Sequence, residues 1–407
     1  MKSFFKIFFA SLLAIFVSGF LSVLMFIFSI TAFDSLLSDE TTVEVKDNSI
    51  LKLTFSTPIN DNPEVNSVNS IDFLTLEIPE NLSLLNVLMS IEHAKNDHKI
   101  KGIYIEPSYF ALSGFATIEE IRDALLDFKE SGKFIISYAD DYTQASYYMS
   151  SVADEIYINS VGSFGLKGLS TTLMFYKGLF EKLDIKPQII RHGKYKSFIE
   201  PFTETEMSNE NKKQTEELIN SIWNTILTNI SKERRLNPAG LSRAVSSLEL
   251  VDPKLAVKFG LLDGIKHHDE VISQLMERVD VEKEKDLNFI GISDYSKSVL
   301  VNKSSDKIAI IYAEGDIVYG TGESGYISNK DIIKKFKKAK NDDDVKAIVF
   351  RINSGGGSAL ASELMWREIE LVRQEKPVIV SFGNAAASGG YYIAAASDAI
   401  VCSPTTI

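Results

Sequence analysis

Cysteine is almost missing: Cys402 is the one example among 407 residues. That excludes an intramolecular disulfide, a cysteine-based zinc cluster and any CxxC redox pair. Positive charge is in deficit, with 43 Lys and Arg against 55 Asp and Glu, a net charge of −12. A nucleic-acid binder needs a basic face to neutralise phosphates, so no nucleic-acid partner is expected. Proline is scarce at 10 residues, and 45% hydrophobic against 24% charged composition excludes wholesale disorder. Neither GxGxxG nor a GK[ST] ending occurs beside the glycine clusters, which argues against a nucleotide site. The acidic runs Asp140-Asp141 and Asp342-Asp343-Asp344 read as solvated turns, so no metal and no cofactor is expected. At roughly 150 residues per domain the length allows two to three domains with sizeable cores.

Charge is also missing from one long stretch. Residues 7–33 run 27 positions without an ionisable acid or base, bracketed by Lys2 and Lys6 before and Asp34, Asp39 and Glu40 after. A spanning helix needs about 20 apolar residues. The flanking charges keep the N-terminus in the cytoplasm and send the rest across the membrane. A cleaved signal peptide would have a shorter apolar region, about 7 to 15 residues, ending in a small-x-small site. The expectation is an uncleaved single-pass anchor followed by a short polar tether.

Beyond it, strand and helix signals alternate. Residues 50–55, 102–105 and 133–138 read as strands, and 82–96, 118–130 and 214–233 as helices. Alternation of this kind implies an α/β fold with parallel pairing. The chain also repeats itself: IKGIYI at 100–105 resembles VKAIVF at 345–350, and KFIISY at 133–138 resembles PVIVSF at 377–382. The offset is 244 or 245, and 258 further upstream, where 50–59 resembles 308–317. Two copies of one α/β unit follow. The expected organisation is anchor and tether over 1–46, a first repeat over 47–285, a linker over 286–305 and a second repeat over 306–407. Ile407 aligns with Ser163, so roughly 120 residues of the first copy have no counterpart in the second, which is expected to be incomplete.

Chemistry separates the copies. The second reads Asn384-Ala385-Ala386-Ala387-Ser388-Gly389-Gly390-Tyr391-Tyr392, a strand end, a small-residue turn and an apolar helix. A serine there lies beside the first free N–H groups of a helix, the setting of a nucleophile and equally of an N-cap. The first copy has Gln144 at that place, with Ser146 nearby. A second cluster, Asn353-Ser354-Gly355-Gly356-Gly357-Ser358, follows a strand and precedes a helix, where it can offer backbone N–H groups to an oxyanion or simply turn the chain. A serine nucleophile needs a proton acceptor. His192 and Lys196, in Arg191-His192-Gly193-Lys194-Tyr195-Lys196-Ser197-Phe198-Ile199-Glu200-Pro201-Phe202, are the candidates. A lysine serves only when desolvated enough to be neutral, and most lysines are simply solvated.

The segments RINSGGGS, NAAASGGYYIAAASD and HGKYKSFIEPF, in their repeat context, resemble those of signal peptide peptidase A, or protease IV, in its long duplicated form. The resemblance covers the anchor and residues 47–407. It implies tandem Clp-protease or crotonase-like ββα units after a transmembrane helix, and a serine endopeptidase with a Ser-Lys dyad. Carried over residue by residue, it makes Ser388 the nucleophile and Lys196 the general base, with Gly356, Gly357 and Gly389 lining the oxyanion hole. It further implies remnant signal peptides as substrates and a homotetramer in the complete form. The expected location is the bacterial inner membrane, with the catalytic part on the periplasmic or extracytoplasmic side. Gly355 stands where the family commonly has proline, which suggests a looser turn. Three readings compete: a crotonase-like acyl-CoA enzyme, a non-catalytic scaffold that binds apolar peptides, and a protease that pairs Ser388 with His192.

Overall fold

The computed structural model describes residues 2–37, 43–63, 82–107, 114–299, 304–322 and 325–407. Its first unit, 1–44, holds the helix Lys2–Leu37. Within that helix Ser3–Met25 has mean hydropathy 2.5 and none of that window is buried. At 1.5 Å per residue those 23 residues reach about 35 Å, enough to cross a hydrocarbon core of about 30 Å.

The second unit, Val45–Ile407, contains two parallel sheets. The first places strands in the order Gly264–Ile265, Glu155–Ile158, Phe134–Ala139, Ile100–Ile105, Ser49–Leu53, Asn288–Gly291, every pair parallel. The second runs Ala399–Val401, Val378–Ala386, Val345–Ser354, Lys307–Glu314, again all parallel. Corresponding strands of the two repeats occupy corresponding places, as the offsets of 258 upstream and 244 to 245 beyond it require. The fold class is α/β.

Helices form where the apolar period demands. Phe115–Lys129 buries Ile118, Ile121, Leu125 and Phe128 completely, one stripe at helical spacing. The helix Asn209–Glu233 buries Ile222, Ile226 and Ile230 on its inner face. In the second repeat Phe336 and Phe350 meet edge to face at 5.0 Å, both fully buried.

The first sheet extends beyond the boundary expected at 285. Asn288–Gly291 pairs with Ser49–Leu53, and Tyr295 of the next helix donates to Asp97 at 2.9 Å. The segment expected to be a linker, 286–305, begins instead with this four-residue edge strand, which needs only one buried residue, Ile290.

One helical turn of the first repeat grips the second. Thr117 N–H donates to Asn384 Oδ1 at 3.1 Å, and Asn384 Nδ2 returns a bond to Thr117 Oγ1 at 2.8 Å. Glu119 accepts from Ser403 and Thr405, both at 2.9 Å. Arg351, on the central strand of the second sheet, donates to Glu120 at 2.6 Å and through Nε to Asp61 at 2.9 Å, while its Nη1 donates to Ser381 at 2.8 Å. Arg351 and Asp61 are both buried. Desolvation pushes Glu120 above the usual carboxylate range, and the Arg351 guanidinium pulls against it. Asn384 and Arg351 lie on the strands that end at the serine turn and the glycine turn, so this clamp sets the site's foundations.

Candidate active site

The strand Val378–Ala386 ends against the C-terminal segment, where Ala386 N–H donates to Ile407 O at 2.8 Å and Ile407 N–H to Asn384 O at 3.0 Å. The chain then turns through Ala387, whose N–H donates to Ser354 O at 3.0 Å. Ser388 follows with φ 50° and ψ −118°, and the helix Gly389–Ala394 starts at once. Positive φ at a residue with a Cβ is strained by about 1–3 kcal/mol and persists only where surroundings impose it. Here the imposing contacts are Gly390 N–H to Ala387 O at 2.8 Å and Tyr392 N–H to Ser388 O at 2.9 Å. The Ser388 side chain makes no capping bond, and the residue is exposed. The capping alternative therefore fails: this serine is held outward at a sharp strand-to-helix elbow, not folded back on its helix.

The glycine turn packs directly beneath. Gly356 has φ 104°, and a Cβ there would sit 2.7 Å from Ser388 Cβ and 2.6 Å from Gly389 N. A Cβ on Gly389 would stand 3.3 Å from Gly357 N and 2.6 Å from Ser362 Oγ. The structure thus brings Gly356, Gly357 and Gly389 together around Ser388. Their N–H groups differ in availability. Gly356 N–H donates to Ser354 Oγ at 3.1 Å, and that hydroxyl in turn donates to Gly315 O at 2.7 Å. Gly357 and Gly389 N–H have no acceptor among the described residues. Gly357 is fixed by its neighbours: Ile317 N–H donates to Gly356 O at 2.8 Å and Ser358 N–H to Ile317 O at 2.9 Å. The turn is consequently tight despite Gly355, where an added Cβ would meet nothing within 4 Å.

In the first repeat the matching place is occupied differently. Gln144 Oε1 accepts from Lys167 and Gly168 N–H at 3.2 and 2.9 Å. Ser146 is fully buried and donates to Thr143 O at 3.1 Å, which removes it as a nucleophile.

Neither base candidate makes a hydrogen bond to Ser388 among the described residues. Lys196 is exposed, directly precedes the short turn Ser197–Ile199 and makes no hydrogen bond or ion pair among the described residues; His192 is exposed as well. The sequence neighbours Tyr195 and Phe198 build no apolar wall around Lys196, since they are themselves 55% and 80% exposed. Both belong to an arm, 167–199, with no buried residue in it.

Sequence reasoning missed Ser354, Asn353 and Ile317, which fasten the glycine turn. Asn353 Oδ1 accepts from Ala385 N–H at 3.1 Å, linking the two turns. The motif RINSGGGS contained Asn353 and Ser354 in plain sight; nothing local singled out Asp61, 290 positions from Arg351.

Fold and site together define an α/β repeat protein with a serine at a strained elbow above a glycine turn. The family model described as Peptidase family S49 matches residues 127–282 and 370–407, the segments that contain Lys196 and Ser388. Protease 4 of Haemophilus influenzae is 33% identical over 345 residues, covering 81% of this chain and 56% of that protein. The chloroplastic serine protease SPPA of Arabidopsis thaliana is 34% identical over 348 residues, covering 83% and 50%. The chain belongs to peptidase family S49 and spans about half the length of these curated relatives. Among solved structures, a mutant of the membrane-bound stomatin-specific protease 1510-N covers 60% of this chain and 97% of its own at TM-score 0.32 and 11% identity. An enoyl-CoA hydratase/isomerase family protein from Silicibacter pomeroyi covers 58% and 82% at TM-score 0.29 and 12% identity.

Proposed function

We propose that the protein is a membrane-anchored serine endopeptidase that cleaves apolar peptides left in the membrane after export, with Ser388 as nucleophile and Lys196 as general base. The observation that carries this is the strained, outward Ser388 beside the two free N–H groups of Gly357 and Gly389. Neutral Lys196 takes the hydroxyl proton as Ser388 Oγ attacks the peptide carbonyl. The developing oxyanion is held by Gly357 and Gly389 N–H. The amine released takes its proton from the Lys196 ammonium, and a water activated by the same amine hydrolyses the acyl-enzyme.

A lysine serves as a base only when it is desolvated, and in the single chain Lys196 is exposed. Its arm exposes Met174 at 66%, Leu183 at 60% and Ile190 fully, an apolar surface that calls for a cover. Assembly of copies into a homotetramer supplies that cover and carries the amine to Ser388. The helix Ser3–Met25 anchors the chain, with Lys2 and Lys6 on the cytoplasmic side and the site on the other, where export leaves its substrates.

A fluorophosphonate probe tests the nucleophile. Peptide mapping is expected to find one modified serine, Ser388, and labelling is expected to vanish in Ser388→Ala. Labelling elsewhere, or none in the folded chain, contradicts the proposal and favours a peptide-binding scaffold.

A further inference from the structure

Between 167 and 210 every residue is exposed or half-buried except one, and that one is a carboxylate, Glu200, at 1% exposure. Burying an ionised carboxylate costs several kcal/mol unless donors surround it. They do here. Ser208 Oγ donates at 2.6 Å, Ser208 N–H at 3.1 Å and Asn211 Nδ2 at 2.9 Å, with Arg191 Nη1 at 4.0 Å. Ser208 is also the N-cap of the helix Asn209–Glu233, whose dipole favours a negative charge at that end. Burial alone would push Glu200 up, but the bonds from Ser208 and Asn211 and the Arg191 charge win and hold it below the usual carboxylate range.

The segment after Glu200 is fixed by a second, apolar device. Phe202 stacks on Phe180 and Tyr176 at 6.1 Å, and Tyr176 N–H donates to Pro201 O at 2.6 Å. Lys196 begins the turn Ser197–Ile199, which Glu200 N–H closes onto Ser197 O. Among the described residues two ties join the segment around Lys196 to the helix Asn209–Glu233: an exposed ion pair, Lys194 Nζ to Glu210 Oε1 at 3.6 Å, of a kind that holds little, and this buried carboxylate, one turn from Lys196. An apolar residue in its place would bury as readily but would not fix an orientation, since hydrophobic contact is non-directional.

We propose that Glu200 is a positioning residue: its carboxylate locks the turn bearing Lys196 onto the N-terminus of Asn209–Glu233 and thereby sets where the amine can reach. This rests on Lys196 being the base for Ser388.

The test is hydrolysis of a fluorogenic apolar peptide by the full chain in detergent, with and without ethylamine, in wild type, Glu200→Gln, Lys196→Ala and the exposed control Glu206→Gln. A displacement of about 1 Å costs about 10²-fold, so Glu200→Gln should lower kcat by that factor and leave KM within about twofold. Ethylamine should restore turnover in Glu200→Gln as in Lys196→Ala, because a misplaced amine leaves the same vacancy as a missing one. Glu206→Gln should match wild type. If Glu200→Gln does not fold by circular dichroism, Ser208→Ala, which keeps the charge and removes the shortest bond, should lose about 10-fold in kcat with the same rescue. Wild-type kcat in Glu200→Gln, or a loss that ethylamine does not touch, overturns the positioning role while an inactive Lys196→Ala leaves the dyad standing. Full turnover in Lys196→Ala, or none in folded wild type, overturns the dyad and this proposal with it.

Discussion

Ser388→Gly is expected to abolish peptide hydrolysis and, in the same step, to stabilise the fold by about 1 kcal/mol. The two effects have one cause. At φ 50° and ψ −118° the backbone of residue 388 lies where glycine is at ease and a Cβ is strained. On the proposed mechanism the serine is kept there because the reaction uses its hydroxyl. Ser388→Ala should lose hydrolysis equally, by about 10⁴ to 10⁶-fold, yet keep the strain and gain no stability. Urea denaturation at constant slope, paired with single-turnover kinetics, separates the three proteins. A Ser388→Gly chain less stable than wild type, or either variant retaining full turnover, contradicts the strained-elbow reading.

Arg351→Ala is expected to destabilise the chain by about 3–5 kcal/mol, the scale for removing one partner of a buried ion cluster. The loss leaves Asp61 and Glu120 without their cation, and Asp61 is almost fully buried. The sign of the pH dependence follows. Burial already holds Glu120 above the usual carboxylate range with Arg351 pulling against it; without that cation it rises further, so the folded state binds protons preferentially and the deficit shrinks as pH falls. Calorimetry of wild type and Arg351→Ala at pH 5 and pH 8 reads both the size and the slope. A deficit under about 1 kcal/mol at pH 8, or one that grows on acidification, would show that the two repeats are held together by other means.

Much of this was legible because the chain repeats itself. Corresponding strands, at an offset of 244 to 245 and of 258 upstream, fix the parallel order twice over, and one place where the copies differ in chemistry, Gln144 against Ser388, is the candidate site. The glycines were readable as a group but not in their separate parts. That Gly356 spends its N–H on Ser354 while Gly357 and Gly389 keep theirs depends on how Ile317 threads the turn, and no spacing encodes that. The Arg351 clamp was invisible because its partners, Asp61 and Glu120, are single acidic residues among 55, more than 200 positions away. Lys196 has aromatic neighbours in sequence, but Tyr195 and Phe198 are exposed, and the burial falls instead on Glu200.

The most direct measurement is hydrolysis of an apolar fluorogenic peptide by the full-length protein carrying Lys196→Ala or His192→Ala, with matched folding controls. Loss of turnover in Lys196→Ala by about 10³-fold or more, beside wild-type turnover in His192→Ala, is the result a Ser-Lys dyad shared between repeats predicts. Retained turnover in Lys196→Ala with loss in His192→Ala would contradict it and make His192 the base.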